Sequence, residues 1–348
     1  MADTTAFTEE KTAAIIEMYR KEVISSLMKN RPLLDIAQRF QNQRGGGPFY
    51  RTPTTRETTI TKTGGHKFTF PVRLDALDET VEITTELQEV DAKQKDQLKR
   101  AEYAIAMFAT PLAISDWRLN MAQGDQAVID YMNEQTEAAL EDHLNALVGS
   151  TRLWKKTTSE GSLTALPWMV HETTTSGVRG GIDGALHATW RNKVITTGAY
   201  RTSREGIQEL INLMGQIAGE GGQVGMHITN AAVYAMFAAE QYGQVNTPNM
   251  TDDVFYGYPV VYGAPVLSSP SLTATVAHGD VGDWYCIDLR YMKWYVMGWV
   301  KAGNRPAFAL TLPSKQLERQ FGSTFAVVTQ GNLCFTKLNA NGLQIVDA

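Results

Sequence analysis

Two glycine clusters are the first candidates for chemistry in this 348-residue chain, because glycines beside a cation often cradle phosphate. Gly177, Gly180, Gly181 and Gly184 lie in "TTTSGVRGGIDGALHATWRNKV", which closes on Trp190 and Arg191. No Lys-Ser/Thr pair follows them, so the spacing matches no phosphate loop. Gly219, Gly221, Gly222 and Gly225 follow a predicted helix and precede a predicted strand. That reverses the strand–loop–helix order of a dinucleotide site and reads as a helix stop. The first cluster then serves the backbone, supplying angles that other residues resist. Trp190 is expected to be packed, and Arg191 pinned to a carboxylate or a carbonyl at a domain or subunit seam.

Other chemistry is poorly supplied. The chain holds no GxSxG, HExxH or GxxxxGK[ST], and "HETTT" at His171 lacks a second histidine. Its six histidines are scattered without metal-ligand spacing. Cys286 and Cys334 lie far apart with no CxxC, which predicts free, buried thiols in a reducing compartment. Asp75, Asp78, Glu79, Glu82, Glu86, Glu89 and Asp91 form an acidic run without the alternating calcium-loop pattern, so a solvated or partner-facing strand is expected. The reading is therefore no catalytic residue, no cofactor and no metal.

The elements that position these residues change character along the chain. Residues 8–29 read as an amphipathic helix, with Thr8 as N-cap and a stripe of Ile16, Tyr19, Val23 and Leu27. A shorter helix around Leu33–Phe40 and a Gly45–Pro48 breaker follow. Thr58–Thr63, Gly64-Gly65 and His66–Val72 then predict a β-hairpin, and Val81–Gln88 alternates as a further strand. These strands carry few apolar residues, so an extended ribbon lying on a neighbour is expected. Ala101–Ser115 reads as one buried strand. The longest helix runs from Asp125 to Val148 with Gly149 as its stop, and its apolar stripe includes Leu140, Leu144 and Leu147. Thr202 and Glu205 make a capping box for a later helix, Asn230 caps another, and the chain from Tyr258 onward is mostly β. Helix and strand do not alternate regularly, which predicts α+β.

Charge is distributed unevenly. Residues 20–62 hold nine basic side chains (Arg39, Arg44 and Lys62 among them) against three acidic ones, a balance of +6. The long helix carries six acidic residues, including Glu134, Glu137 and Glu141, and no Lys or Arg. A basic arm lying across an acidic helix, its own or a neighbour's, is one reading; unrelated solvated faces are the other. The overall charge of -5 argues against sequence-specific nucleic-acid recognition. The start is polar and acidic and no apolar run reaches ~20 residues, so neither a secretory leader nor a membrane helix is predicted. The opening Met1 is read as an unprocessed N-terminus.

In this order of elements the chain resembles the major capsid proteins of tailed bacteriophages, the Hong Kong 97-type fold. The likeness is carried by "AIAMFATPLAISDWRLNMAQGDQAVIDYMNEQTEAALEDHLNAL", by "LTALPWMV…TTTSGVRGGIDGALHATWRNK", and by "VGMHITNAAVYAMFAAEQ…GYPVVYGAPVLSSP…GDWYCIDLRYMKWYV". It implies an N-arm over 1–48, an extended E-loop β-hairpin over 49–99, and a P-domain over 100–195 with a spine helix at 125–148. An A-domain over 196–280 and return strands over 281–348 complete it. The resemblance implies a non-enzymatic shell subunit forming pentamers and hexamers, without a membrane. Around non-specifically held double-stranded DNA it would meet portal, scaffolding and decoration proteins, in a virion assembled in the bacterial host cytoplasm. Lys62, Gly64, Gly65 and Lys67 at the ribbon, Arg39 and Arg44 in the arm, Glu134, Glu137 and Glu141 on the helix, and Trp190 with Arg191 are the expected assembly residues. Some relatives crosslink a Lys to an Asn between subunits. Lys62 or Lys67 could serve, but no partner asparagine or catalytic glutamate is marked. An encapsulin-like nanocompartment and an α+β enzyme with an unrecognised site are the rival readings.

Overall fold

The computed structural model describes residues 59–62, 66–74, 98–115, 125–148, 152–155, 163–175, 177–195, 204–241, 259–272, 280–297, 308–310 and 322–347. The helices expected at 8–29 and 33–40, the strand at 81–88, and Arg39, Arg44, Gly64 and Gly65 lie outside these residues.

The N-terminal described part is β1 (Thr59–Lys62), β2 (Lys67–Arg73), β3 (Leu98–Ala104), β4 (Ala106–Ser115) and a 24-residue helix α1 (Asp125–Val148). A one-turn helix α2 (Leu166–Met169), a tiny hairpin of β5 (Val178–Arg179) and β6 (Ile182–Asp183), a 3-10 turn at Ala188–Trp190, and β7 (Lys193–Ile195) follow. The next elements are α3 (Arg204–Gly219), β8 (Met226–Thr229), α4 (Ala231–Gln241), β9 (Val260–Val261) and β10 (Ala264–Ser268). The chain ends in β11 (Asp280–Ile287), β12 (Met292–Met297), β13 (Phe308–Leu310), β14 (Gly322–Phe335) and β15 (Gly342–Asp347).

Two main sheets organise the molecule. In the first, β14 is central. β4 lies along one edge of it, β12 and β13 along the other, and β1 pairs parallel with β12. The second runs β7-β15-β11-β8-β10-β9. Both α3 and α4 cover one face of this second sheet, where Leu210, Leu213, Ile217, Val233 and Phe237 meet Trp284 and Cys286. Alternation along β11 sends the intervening Tyr285 and Ile287 to the opposite face and into the main core. Helices kept to one side of a mixed sheet make this α+β, as the irregular element order predicts.

The sequence expectations need correction at three places. Thr59–Lys62 and Lys67–Arg73 are both strands but do not form a hairpin with each other. β1 pairs with β12, and β2 pairs antiparallel with β3, Phe70 opposite Ala101. Local alternation identifies strands but is blind to their partners. Ala101–Ser115 is not one buried strand either. It breaks at Ile105, where pairing passes from β2 to β14, and β4 is half-exposed along its length.

The ribbon of β2 and β3 also buries a face in its own chain. Phe68, Phe70, Val72, Ala101 and Tyr103 point inward. Phe70 stacks on Tyr103 at 5.5 Å and 19°, and Phe68 meets Tyr295 of β12 at 5.4 Å. The expectation that these strands bury too little therefore fails at the ribbon base, where three aromatics supply what the sequence of either strand alone lacks.

Candidate functional site

No described residue supplies a catalytic constellation, and no group of His, Cys, Asp and Glu with metal-ligand geometry occurs among the described residues. The two cysteines are free and buried. Burial pushes the Cys286 thiol far up, which keeps it protonated and unreactive although His227 Nδ1 lies 3.4 Å away. None of the described helices is long and apolar enough to cross a membrane. Among the described residues the densest polar cluster of the glycine-rich stretch lies within Thr173–Val194.

Glycine geometry builds it. Gly180 and Gly181 form a two-residue turn with φ of 58° and 75°, joining β5 to β6, and Gly177 has φ 81°. Such a turn needs left-handed angles at both central residues, so Gly-Gly is the natural choice. The hairpin lies against the ribbon. Glu102 N donates to Gly180 O at 2.8 Å, and a Cβ added at Gly180 would sit 2.9 Å from the Tyr103 ring. Gly180→Ala is expected to cost about 2–4 kcal/mol, combining left-handed strain with overpacking. Thermal denaturation of the variant checks this; an unchanged midpoint would show that hairpin and ribbon can separate freely.

The turn sets Arg179 opposite Ile182, so both point inward. Arg179 is 2% exposed. Its guanidinium donates to Thr173 O at 2.8 Å and to Asn192 Oδ1 at 3.1 Å. Burial lowers its pKa. Asn192 in turn grips the 171 segment, its amide donating to His171 O at 2.9 Å while its oxygen accepts from His171 N at 3.2 Å. Trp190 closes the unit. It is 1% exposed and its indole N–H donates to Arg179 O at 2.8 Å. Arg191 donates to carbonyls of its own segment, with Nε to Gly184 O at 2.6 Å and a terminal nitrogen to Ala185 O at 2.9 Å.

Arg179 is the residue sequence reading misses. The signal is present in "VRGGID": a Gly-Gly turn between two dipeptides pairs Arg179 with Ile182, and an apolar Ile182 marks the buried face.

Around the hub, polar anchors join the elements. Thr189 Oγ1 donates to Leu74 O, and Lys99 Nζ lies 2.9 Å from His187 Nε2, tying the 184–190 turn to the ribbon. Asn332 on β14 receives Thr164 N at 2.7 Å and donates to Ala104 O at 2.7 Å. Glu220, at the end of α3, holds Lys193 at 2.8 Å and Asn339 at 2.8 Å, and the Lys193 bond leads the causes that lower its pKa. Helix α1 lies on the first sheet through Leu140, Leu144, Leu147 and the buried His143. The His143 ring nitrogens lie 2.8 Å from Thr110 Oγ1 on β4 and 2.8 Å from Thr329 Oγ1 on β14.

The remaining expected assembly residues are dispersed. Glu134, Glu137 and Glu141 stand exposed on α1. Lys67, on the outer face of β2, pairs with Glu102 at 3.0 Å, an exposed pair that contributes little. Lys62 lies in register with Met297 on β12. The structure brings none of these to the Trp190–Arg191 hub.

Neither a family model nor a curated protein sequence matches this chain. Solved structures do. The capsid asymmetric unit of cyanophage A-1(L) superposes with a TM-score of 0.60 at 13% identity, over 87% of this chain and 96% of that one. The capsid of an empty GTA particle gives 0.54 at 11% identity, over 88% and 95%. The holo-SrpI encapsulin complex from Synechococcus elongatus gives 0.52 at 12% identity, over 90% and 95%. At such identities the likeness is one of fold, and the fold is the one that phage capsid proteins use.

Proposed function

We propose that this chain is a shell subunit that closes with many copies of itself into an icosahedral container, and that the container is the head of a tailed bacteriophage. The observation that carries the reading is a fold likeness at TM-score 0.60 that extends over 87% of the chain, with no reactive constellation among the described residues to support an enzyme. The mechanism is interface free energy, in which identical subunits meet through heterologous contacts around symmetry axes. In this reading residues 1–48 are the N-arm, 49–99 the E-loop, 100–195 the P-domain with α1 as its spine, 196–280 the A-domain, and 281–348 the return strands. Lys62, Gly64, Gly65 and Lys67 would serve contacts of the ribbon, and Trp190 with Arg191 would hold the P-domain in shape beneath it. Packaged double-stranded DNA would be held through backbone charge without regard to sequence. Portal, scaffolding and decoration proteins would be further partners, in a virion assembled in the host cytoplasm.

The encapsulin likeness supports a second reading, a nanocompartment shell holding protein cargo. Electron microscopy of the purified protein tests both. Closed icosahedral shells are expected. Nuclease-protected double-stranded DNA in particles from infected cells selects the phage head, and a co-purifying enzyme selects the compartment. A monomer at micromolar concentration, with no shells under any assembly condition, would overturn both.

The exposed acidic face of α1 is the proposed seat of basic contacts, with Arg39 and Arg44 in the arm as candidate donors. Reversing Glu134, Glu137 and Glu141 to Lys is expected to leave the subunit folded and to cut particle yield by about tenfold, because like-charge contacts repeat at every interface. Sedimentation of wild-type and variant lysates reads this directly. Equal particle fractions would refute the role.

A further inference from the structure

Between the Trp190 hub and α3 lies an open cleft of about 470 Å³. Arg191 and Lys193 bring two cations to its lining, Glu172 brings one carboxylate, and Thr174 and Gln216 bring uncharged polar groups. The two cations differ in what holds them. Lys193 Nζ is already matched by Glu220 Oε1 at 2.8 Å. Arg191 has no carboxylate partner among the described residues, and its hydrogen bonds go to the carbonyls of Gly184 and Ala185. Those bonds use Nε and Nη2, one edge of the planar guanidinium. Nη1 and the remaining N–H of Nη2 form a second edge, which presents two parallel donors. The two acceptors belong to consecutive residues of one turn, so the half-buried fork is oriented before any ligand arrives. Carbonyls are neutral, so they orient this charge without cancelling it.

From this free edge we infer that the cleft binds a small organic monocarboxylate, gripped two-pronged by Arg191. A carboxylate matches the spacing of the guanidinium donors, and such charge-assisted pairs are the strong ones. Thr174 and Gln216 can hydrogen-bond the rest of the ligand, while Ala188 and Val194 offer its carbon skeleton a short apolar wall. Glu172 sets the charge of the ligand. With Lys193 spent on Glu220, the lining answers one negative charge, and a second would meet the Glu172 carboxylate, so a phosphate dianion is disfavoured. The inference concerns one subunit and stands whether or not subunits form shells.

Saturation-transfer NMR on the full-length protein tests it, with N-acetylglycinate as the probe, glycinamide as a cationic control and inorganic phosphate as a competitor. Transfer to N-acetylglycinate and none to glycinamide is the expected result, with phosphate the weaker binder. Arg191→Gln, which removes the fork, is expected to abolish the transfer. Because Arg191 also holds the 184–185 turn, Gln216 supplies variants that leave that turn alone, being exposed on α3. Gln216→Glu is expected to weaken binding about threefold and Gln216→Lys to strengthen it about threefold, the effect of one unit charge at roughly 8 Å in a solvated cleft. Ala232→Glu, on an exposed position of α4 outside the cleft lining, is expected to change nothing. No transfer to N-acetylglycinate in the wild type overturns the site, as do full affinity in Arg191→Gln and equal affinities in the two Gln216 variants. An Ala232→Glu effect as large as that of Gln216→Glu overturns it too. Phosphate binding tighter than N-acetylglycinate overturns the ligand class.

Discussion

Trp190→Ala is expected to lower the unfolding free energy by about 3–5 kcal/mol, the range for deleting a large buried aromatic. The side chain is 1% exposed, so its whole volume becomes cavity. More follows than lost packing, because the indole N–H holds Arg179 O, and Arg179 holds Thr173 O and Asn192. Asn192 then grips His171, and Arg191 pins the turn at Gly184 and Ala185. Removing the tryptophan leaves the Arg179 carbonyl without that donor inside the core, which adds its own penalty. Trp190→Phe, which keeps most of the ring and drops the donor, is expected to cost about 1–3 kcal/mol. Urea unfolding of the two variants separates packing from hydrogen bonding, since the difference between them reports the volume removed. A loss under about 1 kcal/mol for Trp190→Ala would mean that this segment is fastened elsewhere. The segment is a clamp on the ribbon base, so the same variants should also show faster hydrogen exchange in β2 and β3 than in β8.

Local signals were readable in the sequence and long-range ones were not. Asp125 and Gly149 bracket α1, whose described span is Asp125–Val148. Asn230 caps α4 through Val233 N at 2.9 Å, and Gly221 stops α3 with φ 74°. Each of these rests on neighbours within a few residues. Where the partner is distant, the pattern says only that a partner exists. Ile60 belongs opposite Tyr295, and nothing near Gly64-Gly65 reveals that the chain bypasses the obvious hairpin to find it. Arg179 looks like a surface cation until the Gly-Gly turn is used to set its register. His143 was one scattered histidine among six; its hydroxyl partners are 33 and 186 residues away. Exposed charge is the opposite case. Glu134, Glu137 and Glu141 are exposed where helical spacing puts them, and helical spacing says nothing of what they meet.

Acidification is expected to destabilise the protein through two buried histidines. His143 is held down to about 4, first by burial and then by the Arg152 charge. His227 is also held down to about 4, by burial, while the backbone of Val261 acts in the other direction. The His227 ring accepts the Trp284 indole N–H at 3.1 Å, so the folded state favours its neutral form. Both values lie below the ordinary 6.5, so between pH 6.5 and 4 the unfolded chain binds more protons than the folded one. Stability therefore rises with pH across that window. The contribution is complete above pH 6.5, shrinks as pH falls, and is gone below about 4, amounting to about 3 kcal/mol for each ring. Histidine C2 hydrogen exchange read by mass spectrometry checks the cause, with midpoints near 4 expected at His143 and His227; a midpoint near 6.5 at either would remove that ring from the account. His143→Gln checks the consequence, because an amide can bridge Thr110 and Thr329 without titrating. The variant should lose less stability between pH 7 and pH 4.5 than the wild type, and its α1 amides should keep their protection in acid. Equal acid losses in both would show that His143 does not couple α1 to pH.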